Sequence, residues 1–229
     1  TPLYSSAASD VYKRQGIMGT LKVDNLQKRD GTALITDGVA QSGLLTPAAL
    51  RSSNVGLTLI STQTASSSAT INFDSSVITT DYESYAVIIN NIRPVTDQAT
   101  LSFKFSADNG SSFLSESYGA RSSGGKTQTG ADSSGSSNNA AYYDHAFYMN
   151  NATDKGSCFE FRFNNLTVNG GGHKCFFGHW VTDYSDDTNY YGGDINGMVR
   201  NNTSVINYIQ FYMSSGNVLA GTFKLYGIV

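Results

Sequence analysis

The sequence predicts an all-β fold, an antiparallel jelly-roll-like β-sandwich, and three observations point to it. From about residue 69 onward, short runs rich in Val, Ile, Phe, Tyr and Thr recur between clusters of Gly, Asn, Asp or Ser. This pattern is typical of strands and turns. Only 14% of the residues are charged while 12% are aromatic. No helical period separates the runs, so a sandwich fits better than an α/β arrangement.

Two of the runs alternate strictly between apolar and polar residues. They are Leu101–Ser106 and Phe159–Phe163, and this alternation is what a half-buried strand requires. The first run is followed by Asp108-Asn109-Gly110 and the second by Asn164-Asn165. Asn and Gly tolerate the positive φ of tight turns, so antiparallel pairing is expected.

The other strands follow from the same pattern. In all, strands are predicted at residues 69–74, 84–92, 101–106, 142–149, 159–163, 174–184, 190–200, 204–213 and 221–229. The Gly- and Ser-rich segment 119–140 is predicted to be a mobile loop, because it has little apolar area to bury. In the strand near residue 210, Tyr208 and Tyr212 lie on the face opposite Ile209, Phe211 and Met213. A strand that is apolar on both faces suits a subunit interface.

The chain divides into three segments: residues 1–17, residues 18–68 and the sandwich at residues 69–229. Segment 18–68 is predicted to be a short extended arm, because it is too short and too thinly apolar to bury a core of its own. It has one short predicted helix, Pro47–Arg51, since Thr46 is a favoured N-cap residue and Pro47 suits the first turn. The arm is expected to pack only within an oligomer.

The first segment is set aside from the fold. Its hexapeptide Asp10–Gln15 resembles one reading frame of a transposase mosaic-end oligonucleotide used to build sequencing libraries, so residues 1–17 resemble an adaptor translation joined to a gene fragment. The native start is then expected at Met18. Without Asp10, Lys13 and Arg14, the formal net charge moves from −3 to −4.

Charge and hydropathy argue against two classes of partner. The basic residues are scattered without a run, whereas nucleic-acid-binding domains cluster Lys and Arg on one face. No apolar run approaches the roughly 20 residues that span a bilayer. Neither nucleic-acid binding nor membrane insertion is expected.

Four stretches of the chain together resemble structural proteins of tailed bacteriophages of marine bacteria, in which a short arm precedes a sandwich. They are Gly19–Gln27, Tyr82–Ile92, Phe103–Phe113 and Gly221–Ile228. The resemblance spans most of residues 18–229 and carries no catalytic motif. It implies a virion component of tail-fibre or appendage type, commonly trimeric, that contacts other virion proteins and is assembled in the host cytoplasm.

The residues that could catalyse a reaction do not form a recognisable set, so no enzyme is predicted. A glycosidase needs two carboxylates flanking a cleft, and Glu160 lies between two phenylalanines in a strand, where it is expected to face solvent. A nucleophilic triad needs a histidine base. The chain has His145, His173 and His179 but no Gly-x-Ser-x-Gly motif.

Metal and disulfide chemistry are weakly supported, and no cofactor is predicted. His173, Cys175 and His179 share strand parity, and Cys158 could face them, but positions 173 and 179 would be roughly 20 Å apart on a straight strand at about 3.3 Å per residue. Calcium is the other candidate metal, with oxygens from Asp183, Asp186, Asp187 and Asp194, which lack the alternation of a calcium loop. A Cys158–Cys175 disulfide is permitted but not implied, and two free thiols are the default.

Aromatic rings beside amides and carboxylates indicate carbohydrate binding, since a sugar stacks its apolar face on a ring and hydrogen-bonds through its hydroxyls. The candidate glycan site is formed by Tyr142, Tyr143, Trp180, Tyr184, Asn189, Tyr190, Tyr191 and Asp194. The competing interpretation is that these rings fill the sandwich core.

The predicted function is therefore that of a non-enzymatic phage virion protein whose sandwich serves assembly or attachment to a host-surface glycan. Two alternatives stay open. One is a free carbohydrate-binding module and the other is a capsid-decorating protein.

Overall fold

The computed structural model describes residues 26–27, 33–36, 39–40, 56–115, 118–126, 132–170, 173–183, 190–200 and 202–228. The chain divides into two compact units, Thr1–Ser53 and Asn54–Val229. In the first unit, strands β1 (Leu26–Gln27), β2 (Ala33–Thr36) and β3 (Val39–Ala40) pair in an antiparallel sheet of order β1-β2-β3. The helix predicted at residues 47–51 and the adaptor-like residues 1–17 lie outside the described residues.

The second unit contains twelve described strands. They are β4 (Leu57–Ser68), β5 (Ile71–Phe73), β6 (Ser84–Pro94), β7 (Leu101–Ser106), β8 (Tyr118–Lys126), β9 (Asp132–Ala140), β10 (Tyr143–Asp144), β11 (Ser157–Asn164), β12 (Lys174–Asp183), β13 (Tyr190–Val199), β14 (Tyr208–Met213) and β15 (Val218–Ile228). Eight form the large sheet, in the order β4-β15-β6-β11-β12-β13-β8-β9, and four form the small sheet, in the order β10-β7-β14-β5. All their pairings are antiparallel. The all-β prediction is confirmed. No helix among the described residues is long and apolar enough to span a bilayer.

Aromatic side chains fill the space between the two sheets. Phe103 of the small sheet is fully buried, and its ring contacts Phe161, Phe163 and Phe176 of the large sheet at centroid distances of 5.0–5.4 Å. These three pairs are edge-to-face, the arrangement that aromatic quadrupoles favour. The inward-facing residues of both sheets thus form one core.

The half-buried alternation predicted for two strands is confirmed in β11, where burial alternates along the whole strand. In β7 the apolar residues Leu101, Phe103 and Phe105 face the core as predicted, but Ser102 and Ser106 on the other face are also fully buried, so the strand is not half-exposed.

In the turns that follow, Asn109 and Asn165 have the predicted positive φ, at 58° and 60°. Asn is one of the few non-glycine residues that adopt this left-handed conformation readily. Only the second turn is followed by a strand that pairs with the one before it, because β11 pairs with β12 whereas β7 pairs with β10 and β14 and not with β8.

The boundary between arm and sandwich lies earlier than the sequence indicated. The sequence pattern places residues 57–68 in the arm, but they form β4, which pairs with β15 along nearly its whole length at the edge of the large sheet. Most of its side chains are exposed or half-buried, with Ala65 buried. An edge strand with so few buried positions carries a weak apolar signal. The compact unit therefore begins at Asn54.

Segment 119–140, predicted to be a loop, instead contributes most of β8 and β9, so that prediction is wrong. The two strands pair with each other, and β8 also pairs with β13. Tyr118 and Ser122 anchor β8, since both are buried and the Tyr118 hydroxyl accepts a hydrogen bond from the Phe105 amide of the small sheet at 2.7 Å. Tertiary contacts here override the low strand propensity of Gly and Ser.

Two other strands are shorter than predicted. Residues 142–149 contribute only the two-residue strand β10, and residues 204–213 contribute β14 from Tyr208 onward. The face assignment in β14 is confirmed, because Ile209, Phe211 and Met213 are buried whereas Tyr208 and Tyr212 are half-buried on the opposite face.

Candidate functional site

Strands β13 and β8 expose bare backbone on the outer face of the large sheet. Gly192 is paired with Gly125, and Gly193 is paired with Gly124, so two neighbouring strands lack side chains at the same level. The result is a groove of about 440 Å³ lined by Arg121, Ser123, Gly124, Gly125, Ser134, Gly192, Gly193 and Asp194. We call it the glycine-floored groove. Its volume falls within the range of about 300–1,000 Å³ that is usual for small-molecule sites.

Packing requires some of these glycines but not all. A Cβ atom at Gly193 would lie 1.9 Å from the Ser123 carbonyl oxygen, and one at Gly124 would lie 2.6 Å from the Trp180 ring. A Cβ at Gly192 would meet nothing closer than 3.4 Å, an ordinary van der Waals distance. Packing therefore does not require a glycine at position 192. Because this position faces the groove, the lack of a side chain there leaves the groove open.

The polar groups of the groove include both a donor and an acceptor of hydrogen bonds. Asp194 projects from β13, and its Oδ1 lies 2.8 Å from His179 Nδ1 on the neighbouring strand. Both side chains are well exposed, at 64% and 76%. Arg121 is exposed on β8 and makes no hydrogen bond or ion pair with any described residue. Its guanidinium is therefore available to a ligand.

Two residues of the predicted glycan site lie at the groove. Asp194 is part of its lining, and Tyr190 lies two residues before Gly192 on the same face of β13, with 54% of its surface exposed. Tyr191 faces the other way, and its ring packs against Phe147 at 5.7 Å. Tyr184 and Asn189 lie outside the described residues.

The remaining predicted residues lie elsewhere. Tyr143 and Trp180 are core residues, 0% and 2% exposed, so neither ring can stack on a sugar. Trp180 belongs to the inward-facing set of β12, together with Phe176, Gly178 and Thr182. Because the outward set contains Phe177 and Val181, the strand is apolar on both faces and the sequence does not say which face is buried. Tyr142 is exposed, but it flanks the small sheet.

The groove itself was missed from sequence. Its signal was the recurrence of a Gly-Gly pair, Gly124-Gly125 and Gly192-Gly193, in two segments that pair with each other. The first pair lies in the segment that was predicted to be a loop, so no strand was available to place beside the second. The same segment contains Arg121, Ser123 and Ser134, so the sequence pattern did not identify them as site residues either.

A polar cluster is buried between the sheets behind the groove. The Tyr143 hydroxyl lies 3.0 Å from Ser122 Oγ and 3.1 Å from His145 Nδ1. His145 is fully buried among the rings of Phe147, Phe159 and Trp180, and its Nε2 has no hydrogen-bond partner within the described part of the chain. Burial lowers the pKa of His145 to about 3. The imidazole is neutral at physiological pH.

The predicted cysteine and metal candidates do not converge. Cys158 is paired with Val181 and Cys175 with Asn164, at opposite ends of the β11–β12 ladder, and both thiols are free. His179 contacts Asp194 rather than a cysteine. Among the described residues, no three His, Cys, Asp or Glu side chains are placed to hold a metal ion. Asp186 and Asp187 lie outside the described residues.

A second groove of about 560 Å³ lies further along the same sheet, where it is lined by residues that include Asn90, Asn91 and Lys155. Its basic groups are already engaged: Lys155 Nζ lies 3.4 Å from Asp183 Oδ2, and Arg93 donates to the Ala152 carbonyl. Neither groove has an aromatic residue in its lining, but the exposed Tyr190 lies next to the glycine-floored groove on β13. The glycine-floored groove, where Arg121 has no partner among the described residues, is the better candidate site.

The arrangement suits reversible binding of a small polar ligand. Comparison of the chain with protein-family models, with curated proteins and with solved structures finds no match in any of the three.

Proposed function

We propose that this protein is a non-catalytic virion structural protein of tail-fibre or appendage type, whose β-sandwich binds a host-surface glycan in the glycine-floored groove. The single observation that carries the glycan part is the bare floor at Gly192, which packing does not require, beside the exposed ring of Tyr190. The virion part is supported by the sequence resemblance to marine-phage structural proteins.

The chemistry of the groove favours a neutral sugar. The bare backbone lets a sugar ring approach the sheet closely, and the exposed Tyr190 beside it offers an apolar surface for the C–H face of a pyranose. Asp194 accepts hydrogen bonds and Arg121 donates them, so adjacent hydroxyls of one sugar have partners of both kinds. The two opposite charges leave no net field to select an ionic ligand.

A jelly roll is the topology we infer for the sandwich. The large sheet packs on the small sheet, whose order is β10-β7-β14-β5, through residues that include Phe163 of β11, Phe176 of β12 and Phe223 of β15. Several connections, such as β4 to β5, β5 to β6 and β14 to β15, cross from one sheet to the other, as in a double Greek key. Strands β13, β8 and β9 lie at one end of the large sheet and carry the groove.

Glycan-array screening of the full chain, followed by calorimetry on the strongest neutral glycan, tests the proposal. Asp194→Ala and Arg121→Gln should each weaken binding at least tenfold, because each removes hydrogen bonds to sugar hydroxyls. Thr62→Ala is the matched control, since Thr62 is exposed on β4 near the opposite edge of the same sheet. Equal affinity in all three variants would place the glycan elsewhere.

Exposed apolar side chains on the large sheet favour assembly as a second role. Phe177, Val181 and Met198 are 37–52% exposed on its outer face, and Leu57 and Leu59 of the edge strand are 42% and 52% exposed. Such patches often mark protein contacts. We propose a homotrimer that contacts other virion proteins and binds neither nucleic acid nor the membrane interior.

Solution mass by size exclusion with light scattering tests the assembly role. The full chain is compared with residues 54–229, a truncation that keeps β4 in its sheet. The proposal predicts a trimer that dissociates without residues 1–53. A monomer in both cases, with glycan binding retained, would instead favour a free carbohydrate-binding module. Binding to capsids but not to host cells would favour a capsid-decorating protein.

A further inference from the structure

The outer face of the small sheet carries a continuous strip of aromatic rings. Tyr142 and Tyr212 contact each other at 5.9 Å, and Phe113 contacts Tyr208 at 6.0 Å. The ammonium of Lys104 links the two pairs, since it lies 3.9 Å from the centroid of Phe113 and 5.3 Å from that of Tyr212. We call these five residues the aromatic strip. Ser102 and Ser106 on the same face are fully buried, so little room is left between the sheet and the side chains that cover it.

Lys104 has no anionic partner in the strip. Among the described residues, the Lys104 ammonium contacts the faces of the Phe113 and Tyr212 rings and makes no hydrogen bond or ion pair. The nearby carboxylate of Asp144 is engaged by other groups, because its Oδ1 accepts hydrogen bonds from Thr100 Oγ1 at 2.7 Å and Ser102 Oγ at 2.9 Å. The half-buried ammonium therefore presents a positive charge, flanked by ring faces, with which a ligand carboxylate can pair.

We propose that the aromatic strip is a second binding site, for a saccharide that bears a carboxylate. The carboxylate pairs with the Lys104 ammonium, and the sugar ring packs its C–H face on the flanking tyrosines. Hydroxyls on the sugar reach the amides of Gln210 and Asn72, which lie in the same cross-strand row as Lys104 and hydrogen-bond each other at 3.1 Å. The site lies on the opposite sheet from the glycine-floored groove and does not depend on it.

The same geometry disfavours an acidic peptide as the ligand. An extended peptide gains most of its affinity from main-chain hydrogen bonds to an open sheet edge. Strands β7 and β14 lie inside the small sheet, where each is paired on both sides, so the strip offers ring faces and side chains but no free main-chain row. A purely apolar partner surface would bury the ammonium without a counter-charge, which is unfavourable.

Ligand titration of the full chain by heteronuclear NMR tests the proposal. The probes are sodium glucuronate, sodium galacturonate and sodium N-acetylneuraminate, each paired with its neutral methyl ester. At least one acid should bind with shifts at the aromatic strip, and its ester at least tenfold more weakly, because the ester keeps the ring but loses the charge. Raising the salt concentration should weaken only the acid.

Variants locate the charge that is recognised. Lys104→Gln should weaken acid binding at least tenfold, whereas Lys104→Arg, which keeps the charge, should retain most of it. Lys224→Gln, which removes a positive charge from β15 of the other sheet, is the charge-matched control and should leave the affinity unchanged. Arg121→Gln reports separately whether the acid binds in the glycine-floored groove. Thermal unfolding of each variant shows whether it is folded, and the acid–ester comparison uses only the natural chain.

Four results would overturn the proposal. They are no binding of any acid at tens of millimolar, equal affinity for acid and ester, unchanged affinity in a folded Lys104→Gln variant, and loss of acid binding in Arg121→Gln. The last result would move the acidic ligand to the groove.

Discussion

The indole ring of Trp180 occupies the space that a side chain at Gly124 would need. A Cβ atom built on Gly124 would lie 2.6 Å from Trp180 Cζ2 and 2.6 Å from the Gly192 carbonyl oxygen. Gly124 thus lets the largest side chain of the core pack beneath β8. Gly192 faces the outer side of the sheet, where no packed side chain requires its lack of a Cβ atom. Gly124 is therefore needed for core packing, whereas Gly192 is not.

Alanine at these two positions should therefore have unequal effects on stability. Gly124→Ala should lower the free energy of unfolding by about 1–3 kcal/mol, because a backbone oxygen and a packed indole must both shift. Gly192→Ala should change it by no more than about 0.5 kcal/mol, as an exposed substitution does. Urea unfolding followed by tryptophan fluorescence measures both. Equal losses in the two variants would mean that Gly192 is also needed for packing.

Phe103 is the most connected ring of the core, in contact with rings from both sheets. Phe103→Ala should lower the free energy of unfolding by about 3–5 kcal/mol, since it removes a buried ring and leaves a cavity. The half-buried Phe113 provides the comparison, and Phe113→Ala should cost clearly less. Denaturant midpoints for the pair check this, and similar losses would contradict the central position of Phe103.

The buried His145 makes stability depend on pH. Its pKa is about 3 in the folded protein and about 6.5 in an unfolded chain. Between these values the unfolded chain binds a proton that the folded protein does not. Stability is therefore complete above pH 6.5 and falls as the pH drops, by up to about 1.4 kcal/mol per pH unit from this one group.

The variant His145→Phe isolates that contribution, because a phenylalanine side chain cannot be protonated and still places an aromatic ring among the rings that surround His145. Carboxylates titrate in both proteins, so the quantity to measure is the difference in unfolding free energy between them from pH 7 to pH 4. The difference should shift in favour of the variant as the pH falls. A constant difference would show that His145 is not held neutral.

The turn after β7 contains a carboxylate with its own pH signature. Hydrogen bonds from Ser106 and Ser112 lower the pKa of Asp108 to about 2. This contribution to stability is present above the usual aspartate pKa of about 3.9 and is lost as the pH falls towards 2. Carbon-13 NMR titration should show a midpoint near 2 that rises in Ser106→Ala. A midpoint near 3.9 in the natural chain would contradict the hydrogen bonds.

Local alternation was enough to predict the centre of the sandwich but not its borders. In β7 and β11 the apolar side chains all point to one face, which is the face that packs in the core, so their alternation reports the fold directly. β8 and β9 consist largely of Gly and Ser, and they are strands because Tyr118, Ser122 and the pairing with β13 hold them in place. That support comes from residues distant in sequence and leaves no local pattern.

The candidate site was predicted only in part, because some of its residues depend on which strands are neighbours and leave no local pattern. Tyr190 and Asp194 were identified because aromatic and carboxylate residues cluster near them in the sequence. Trp180 and Tyr143 were placed beside them, although they face the core, because aromatic residues on both faces of a strand hide which face is buried. The glycine floor became visible only once β8 and β13 were known to be neighbours.

The central claim is that a glycan binds over Gly192, and calorimetry on the natural chain and Gly192→Val tests it most directly. The valine side chain would fill the groove from its floor. Thr62→Ala is the control for an exposed substitution far from the groove, and the Tm of each variant shows whether it is folded. We predict that the strongest neutral glycan from the array binds Gly192→Val at least tenfold more weakly than the natural chain, with unchanged Tm. Equal affinity for the two, or no glycan bound by the natural chain, would contradict the account.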